Sequence, residues 1–128
     1  MADVVTLIQD MLFSSKVREA AKATGVTVQP TRDVPALVAA ARDARLVAID
    51  LRLPHALQAL DALTADAAAR GAPAGSATVV GFIDHEKTDV MDLARAKGCA
   101  QVMAKGQFAN ALPKLLQAAL GPPPPAAA

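Results

Sequence analysis

Residues 45–54 read Arg-Leu-Val-Ala-Ile-Asp-Leu-Arg-Leu-Pro, and the apolar run at 46–49 ends in a lone carboxylate, Asp50. A short continuous apolar run between polar residues is typical of a strand buried on both faces of a sheet. Pro54 lacks a backbone N–H and biases Leu53 towards an extended conformation, which predicts a loop after the strand. Asp50 is therefore predicted at the carboxyl edge of a parallel sheet, where α/β proteins build sites. The alternative is a residue that caps the next segment or ends the strand in solvent.

Composition indicates one globular domain. The 128 residues are 53% hydrophobic and 20% charged, which is enough apolar content for a core and atypical of a disordered chain. The formal net charge is +1, so the sequence predicts no electrostatic surface for nucleic acid or for an anionic membrane. Three phenylalanines, with no tryptophan or tyrosine, also argue against a stacking platform for single-stranded nucleic acid.

Cysteine and hydropathy patterns favour a cytoplasmic protein. Cys99 is the only cysteine, so no internal disulfide is predicted, and a lone thiol fits a reducing compartment. No signal-peptide pattern is visible, and no apolar run approaches the ~20 residues that a membrane span needs. His55 and His85 lack metal-ligand spacing to each other and to Cys99, and we expect both on the surface.

Strand and helix patterns alternate outward from the central run. The sequence predicts short strands at 4–8, 26–28, 46–49, 78–83 and 100–104. Helices are predicted from a Ser14 or Ser15 cap to about 24, from Asp33, from after Pro54 to about 70, from an Asp84 cap to about 97, and over the stripe that ends before Gly121. Glycine and proline at 71–75 predict a loop.

This alternation predicts an α/β fold. Five strands that alternate with five helices require parallel pairing, right-handed crossovers and helices on both faces of the sheet. Residues 1–121 are predicted to form the single domain. The Pro/Ala-rich residues 122–128 are predicted to be an extended or disordered tail.

Residues 50–54 (Asp-Leu-Arg-Leu-Pro) resemble the phosphoacceptor loop of response-regulator receiver domains, in which an aspartate ends the third strand and a proline follows four residues later. The order of elements matches over 4 to about 120. Lys105 falls where that family has its invariant lysine, Gly98 precedes it at the usual offset, and Asp10 matches one of two metal-binding acids. The resemblance implies a flavodoxin-like, doubly wound sheet with strand order 2-1-3-4-5.

The same resemblance implies the chemistry of the site. Asp50 would accept a phosphoryl group from a histidine kinase or a small donor. Asp10, Asp50 and the backbone carbonyl of Arg52 would offer oxygen ligands to Mg²⁺, and Lys105 would pair with the acyl phosphate. The expected partner is a histidine kinase or an output protein, and the module itself is not expected to be an enzyme.

Other family positions are altered. Gln9 replaces an acid with a neutral amide, Ile83 stands where the family has a switch hydroxyl, and Gly106 replaces the proline after the lysine. Because fewer ligand charges lower cation affinity, any Mg²⁺ binding is predicted to be weak. Asp84, next to Ile83, is a candidate substitute acid, with the N-cap role as its alternative.

Three functions remain open at this point. The first is a receiver-like or pseudo-receiver module that works through protein contacts, with an incomplete site around Asp50. The second is a conventional receiver that is phosphorylated on Asp50 with Mg²⁺. The third is a small-ligand binder or enzyme on the same fold, since a fold does not fix a function. Lys105 likewise has an alternative role as a structural ion bridge to the two acids.

Overall fold

The computed structural model describes residues 2–71 and 77–120, which contain five strands and five helices. The strands are β1 (Val4–Leu7), β2 (Val28–Thr31), β3 (Leu46–Asp50), β4 (Thr78–Ile83) and β5 (Gln101–Ala104). The helices are α1 (Met11–Thr24), α2 (Val34–Ala41), α3 (Ala56–Ala69), α4 (Thr88–Ala96) and α5 (Lys105–Leu120). All strand pairs are parallel, in the order β2-β1-β3-β4-β5. The predicted flavodoxin-like topology is therefore confirmed.

The central strand β3 is buried along its whole length, as its apolar run predicts. Alternate residues point to opposite faces of a strand, so Val47 and Ile49 join the core beneath α2, α3 and α4. Leu46 and Ala48 join the second core, which packs against α1 and α5. By the same alternation, Asp50 follows the side of the sheet that faces α1 and α5.

The second core contains all three phenylalanines. The rings of Phe82 and Phe108 stack with centroids 4.3 Å apart, and Phe13 lies 5.2 Å from Phe82. Aromatic contacts of this kind stabilise a core beyond the area that they bury. They fix the first turns of α1 and α5 against β4, below the edge where Asp50 lies.

The start of α1 differs from the prediction. The helix begins at Met11, and the N-cap is Asp10 rather than Ser14 or Ser15. The Asp10 carboxylate accepts hydrogen bonds from the backbone N–H groups of Leu12 (2.9 Å) and Phe13 (3.3 Å). An aspartate caps a helix as well as serine does, so the earlier acceptor extends the helix by one turn. Gly25, with φ 82°, ends α1 as predicted.

Two other predictions need correction. Strand β2 lies at Val28–Thr31 rather than at 26–28 and contains Pro30. An edge strand tolerates proline because one side of its backbone has no strand partner. Helix α4 begins at Thr88, so Asp84 is not its N-cap. The Asp84 carbonyl instead accepts the Lys87 N–H at 3.0 Å, which closes a turn before the helix.

The remaining helices and β4 follow the predicted pattern. Asp33 caps α2 through the Ala36 N–H at 2.8 Å, and Leu60 of α3 is buried. Residues 72–76 of the predicted loop, the predicted stop at Gly121 and the predicted tail at 122–128 lie outside the described residues. Within the described ranges, no helix has both the length and the hydropathy needed to cross a membrane.

Candidate functional site

Three charged side chains meet where β1 and β3 end. These strands are neighbours, with Leu7 paired to Ile49, so the residues that follow them share one edge of the sheet. Asp50 is the last residue of β3 and its side chain is 1% exposed. Asp10 follows β1 and caps α1, while Arg52 lies two residues beyond β3 and reaches both acids.

Arg52 holds Asp50 through both carboxylate oxygens. Its Nε donates to Oδ1 at 3.1 Å and its Nη2 donates to Oδ2 at 3.0 Å. The Arg52 backbone N–H donates to the same Oδ1 at 3.0 Å. The guanidinium fork fits a carboxylate in this two-pronged arrangement, and the pairing raises the pKa of Arg52 above its ordinary value. The buried acid is thus matched by a cation from its own loop.

Asp10 serves both the helix and the site. Its Oδ2 accepts from Arg52 Nη2 at 3.4 Å while its Oδ1 caps α1. The hydrogen bond from the Phe13 N–H is the largest influence on the pKa of Asp10 and lowers it. Hydrogen bonds from Leu12 and Arg52 and the charge of Lys105 act in the same direction, while desolvation opposes them. Asp10 is therefore a carboxylate at neutral pH.

Lys105 approaches the site from the start of α5. Its Nζ lies 3.9 Å from Asp10 Oδ2 and 4.9 Å from the centroid of the Phe13 ring. An ammonium over an aromatic face is attracted by the ring quadrupole. Among the described residues, no hydrogen bond or ion pair joins Lys105 to Asp50, and the ion pair of Lys105 is with Asp10.

Comparison with solved structures reveals the same architecture in receiver domains. The chain resembles a response regulator receiver domain from Rhodospirillum rubrum (TM-score 0.64, 16% identity, 89% of this chain and 90% of that one). It also resembles the receiver domain of NtrX from Brucella abortus, with a TM-score of 0.71 and 21% identity over 92% of this chain and 98% of that one. The chain has the receiver-domain fold. The match to a longer NtrX structure covers only 26% of that chain. No protein-family model and no curated protein sequence matches this chain.

A further receiver domain with this fold was solved together with a partner. It is the receiver domain of Ssk1 from Saccharomyces cerevisiae, in complex with the histidine phosphotransfer protein Ypd1. The TM-score is 0.68 at 14% identity, and the match covers 80% of this chain and 77% of that one. At such identities the likeness establishes the fold, and the function must be argued from the site.

Two residues predicted to bear on this receiver-fold site lie away from its charged centre. Asp84 is exposed and forms no hydrogen bond or ion pair with Asp10, Asp50 or Arg52 in the described part of the chain. Ile83 is buried in the core under α3 and α4, so its position offers no hydroxyl to a phosphoryl group. That Ile83 occupies the position of the family's switch hydroxyl, and that Asp84 substitutes for a missing acid, both stay predictions.

The oxygen atoms around Asp50 are the candidate ligands for Mg²⁺. A cavity of about 340 Å³ is lined by Gln9, Asp10, Asp50 and Arg52. Mg²⁺ needs several oxygens in octahedral geometry, yet the guanidinium contacts both Asp50 oxygens and one of Asp10. In the described residues, no group of three or more His, Cys, Asp or Glu side chains is arranged for a metal. As arranged, the site does not fit Mg²⁺ beside the guanidinium, and weak Mg²⁺ binding stays a prediction.

Sequence reasoning missed the Arg52 side chain and the environment of His55. The backbone carbonyl of Arg52 was the expected contributor, but its side chain dominates the site. The two-residue spacing from Asp50 was an available signal, since an aspartate side chain often accepts from the backbone N–H two residues on and so closes a turn, as Asp50 does with Arg52. His85 is exposed as expected, whereas His55 is partly buried and its Nε2 atom is fully buried. The surface prediction for His55 was wrong because the loop 51–55 folds against the sheet.

Proposed function

We propose that this protein is a receiver-like regulatory module of two-component signalling, with an incomplete phosphoacceptor site around Asp50. The receiver-domain fold supports the proposal, as does the convergence of Asp10, Asp50 and Lys105 at one edge of the sheet. The module would signal by contact with a protein partner rather than by turning over a substrate. A cytoplasmic location is part of the proposal, since Cys99 is a free thiol.

The observation that carries the proposal is the bidentate hold of Arg52 on Asp50. A carboxylate attacks phosphorus through an oxygen lone pair, and both Asp50 oxygens already accept hydrogen bonds from Arg52. Because the Asp50 side chain is 1% exposed, a phosphoryl donor reaches it only after the guanidinium moves. The same guanidinium neutralises the acids that would otherwise attract Mg²⁺. We therefore expect Asp50 to accept phosphate slowly at best.

The partner class follows from the same fold. The complex of the Ssk1 receiver domain with Ypd1 is an example of a receiver domain that docks on a phosphotransfer protein. For this chain we propose a histidine kinase or an output protein as the partner. Ile83, which we expect at the position of the family's switch hydroxyl, is a buried aliphatic side chain, so we expect contact itself, rather than a phosphate-driven rearrangement, to carry the signal.

A conventional receiver is the second candidate. It is favoured by Lys105, whose Nζ lies 3.9 Å from Asp10 Oδ2, because a lysine at this edge is suited to pair with an acyl phosphate. Incubation of the full chain with acetyl phosphate and Mg²⁺, read by intact mass, separates the two candidates. We expect almost no species heavier by one phosphate (~80 Da). Near-complete phosphorylation of the wild type that disappears in Asp50→Asn would establish the conventional receiver instead.

A further inference from the structure

A second, larger cavity lies beside the candidate phosphoacceptor site. It has a volume of about 730 Å³ and opens at the carboxyl ends of β1 and β2, next to the loop that follows β3. In doubly wound sheets, ligands bind where strand order reverses, which is between β1 and β3 here, and the cavity adjoins that point because Gln9 and Leu53 line it. The volume is within the range of cavities that bind small organic molecules.

The ionisable side chains around this cavity are all of basic residue types. Arg18, Arg32 and His55 contribute to its lining, and no aspartate or glutamate does so. Neither arginine forms an ion pair with another residue in the described ranges. Guanidinium groups in a concave site favour planar oxyanions, which they contact through two parallel hydrogen bonds. The cavity therefore has the charge of an anion site, opposite to that of the neighbouring acids.

His55 adds an unsatisfied polar atom. Its Nε2 is buried and has no hydrogen-bond partner in the part of the chain that is described. His55 also precedes α3 without capping it through its side chain, so the helix does not explain its position. Buried polar atoms are nearly always paired in native proteins, because an unpaired one loses its hydration without compensation. A turn of the His55 ring that brings this nitrogen to the cavity surface would let an oxygen of a bound molecule pair with it.

The floor of the cavity is apolar. Leu7 and Leu53 are buried residues that line it, and Ile8 and Pro30 lie beside them. Small-molecule sites typically combine such a floor with a few polar groups that fix the orientation of the ligand. A ligand that matches both parts has an apolar body and one anionic end.

We propose that this cavity binds a small organic anion, a carboxylate or phosphate monoester on an apolar body, whose charged end is held by Arg18 and Arg32 beside His55. The inference goes beyond the proposed signalling role and does not depend on phosphorylation of Asp50. Gln9 lines both this cavity and the acidic one, so the two sites adjoin. Binding here adds a chemical input to a module that otherwise responds to a protein.

The test is an amide NMR titration of the full chain with three probes of one shape: 1-naphthoate, 1-naphthyl phosphate and the neutral 1-naphthamide. We expect saturable shifts at Ile8, Thr31 and His55 with an anionic probe, and binding of the amide that is weaker by about tenfold or more. The phosphate and carboxylate arms identify the preferred anion. Equal binding of the neutral probe, or saturable shifts confined to other residues, would overturn the proposal.

Substitution of the two arginines tests whether their charges contribute to binding of the anionic probe. The double variant Arg18→Gln/Arg32→Gln should weaken binding of the better anion by about tenfold or more, because two charge-assisted contacts are lost. The matched control is Arg95→Gln, which removes a surface pair with Asp92 on α4 and should leave the affinity unchanged. Unchanged affinity in the double variant would refute the anion site.

A steric variant covers the case in which the double variant unfolds. Ser14 lines the cavity from α1, and Ser14→Phe places a ring in the space that the ligand's apolar body would occupy. We expect this variant to abolish the saturable shifts while its thermal melt remains cooperative. A folded Ser14→Phe protein that binds the anionic probe with wild-type affinity would remove the cavity from consideration.

Discussion

The guanidinium of Arg52 and the carboxylate of Asp50 form a bidentate ion pair whose acid is 1% exposed and whose base is 35% exposed. The two residues are separated by Leu51 alone, so the charge of the buried acid is balanced within its own loop. Asp10 joins the pair through the same Nη2 atom. The site is thus nearly neutralised by protein groups, which lowers the cost of burying the Asp50 carboxylate.

The first prediction concerns stability. Arg52→Gln leaves the buried Asp50 charge without its cation, and we expect the free energy of unfolding to fall by about 2 kcal/mol at neutral pH. The loss is smaller than for a fully buried pair because water reaches the guanidinium. Urea unfolding measures it. The double variant Asp50→Asn/Arg52→Gln should recover most of the loss, whereas Arg95→Gln should stay within about 0.5 kcal/mol of wild type.

If Arg52→Gln and Arg95→Gln prove equally stable, the pair does not compensate the burial of Asp50. Failure of the double variant to recover stability would mean that Arg52 acts through other contacts. Either result would show that the Arg52–Asp50 ion pair does not hold the buried carboxylate away from a phosphoryl donor.

The second prediction concerns cations. Mg²⁺ and the guanidinium compete for the same oxygens of Asp10 and Asp50, so Arg52→Gln should bind Mg²⁺ about tenfold more tightly than wild type. Amide NMR titration measures both affinities. Asp10→Asn in the Arg52→Gln background should cancel the gain, because it removes one of the two acids. Equal Mg²⁺ affinity in wild type and Arg52→Gln would contradict competition.

The secondary-structure elements that the sequence predicted best are those whose position is set by one local pattern. Strand β3 is an unbroken apolar run, and its burial on both faces follows directly. The start of α1 was mispredicted because Asp10, Ser14 and Ser15 are all good caps, and the core contact of Phe13 decides among them. In the site, the resemblance predicted a meeting of Asp10 and Lys105, whose charged groups lie 3.9 Å apart. It did not identify the Arg52 side chain or the burial of His55, because both depend on how the loop 51–55 folds.

The third prediction tests the packing that supports Asp50. A Cβ atom at Gly81 of β4 would lie 2.8 Å from Leu51 Cδ1 and 3.1 Å from Cys99 Sγ. Gly81→Ala should therefore destabilise the fold by about 2 kcal/mol in thermal or urea unfolding, because the buried Leu51 must move. Gly106→Ala is the matched control, since a Cβ there meets nothing within 4 Å and alanine favours the helix. Equal stabilities would show that the contact relaxes freely.

The fourth prediction concerns the single thiol. Burial raises the pKa of Cys99 to about 11, so almost no thiolate is present at neutral pH. We expect a thiol reagent such as a disulfide dye to react with the native protein only at the rate of unfolding, and at once in denaturant. Rapid labelling of the folded chain at neutral pH would contradict the buried position of Cys99.

The fifth prediction concerns acid. Hydrogen bonds from Arg42 and then Arg70 lower the pKa of Asp66 from 3.8 to about 2, and Arg42 lies 2.7 Å from Asp66 Oδ1 across the α2–α3 contact. Because the folded pKa is below the unfolded one, these pairs stabilise the fold above pH ~4, and the stabilisation is lost as the pH falls through about 2. Asp66→Asn should be slightly less stable than wild type at neutral pH, since partly exposed pairs contribute little.

The difference between Asp66→Asn and wild type should be nearly unchanged when urea unfolding is repeated at about pH 4 and should shrink at about pH 2, because the wild-type carboxylate becomes protonated only near its folded pKa. Asp43→Asn is the control, as Asp43 forms no ion pair with any described residue. Its difference from wild type should be small at each pH, because no ion pair is lost. A gap between Asp66→Asn and wild type that stays constant with pH would show that the substitution acts through packing, and that the Asp66 carboxylate does not tie α2 to α3.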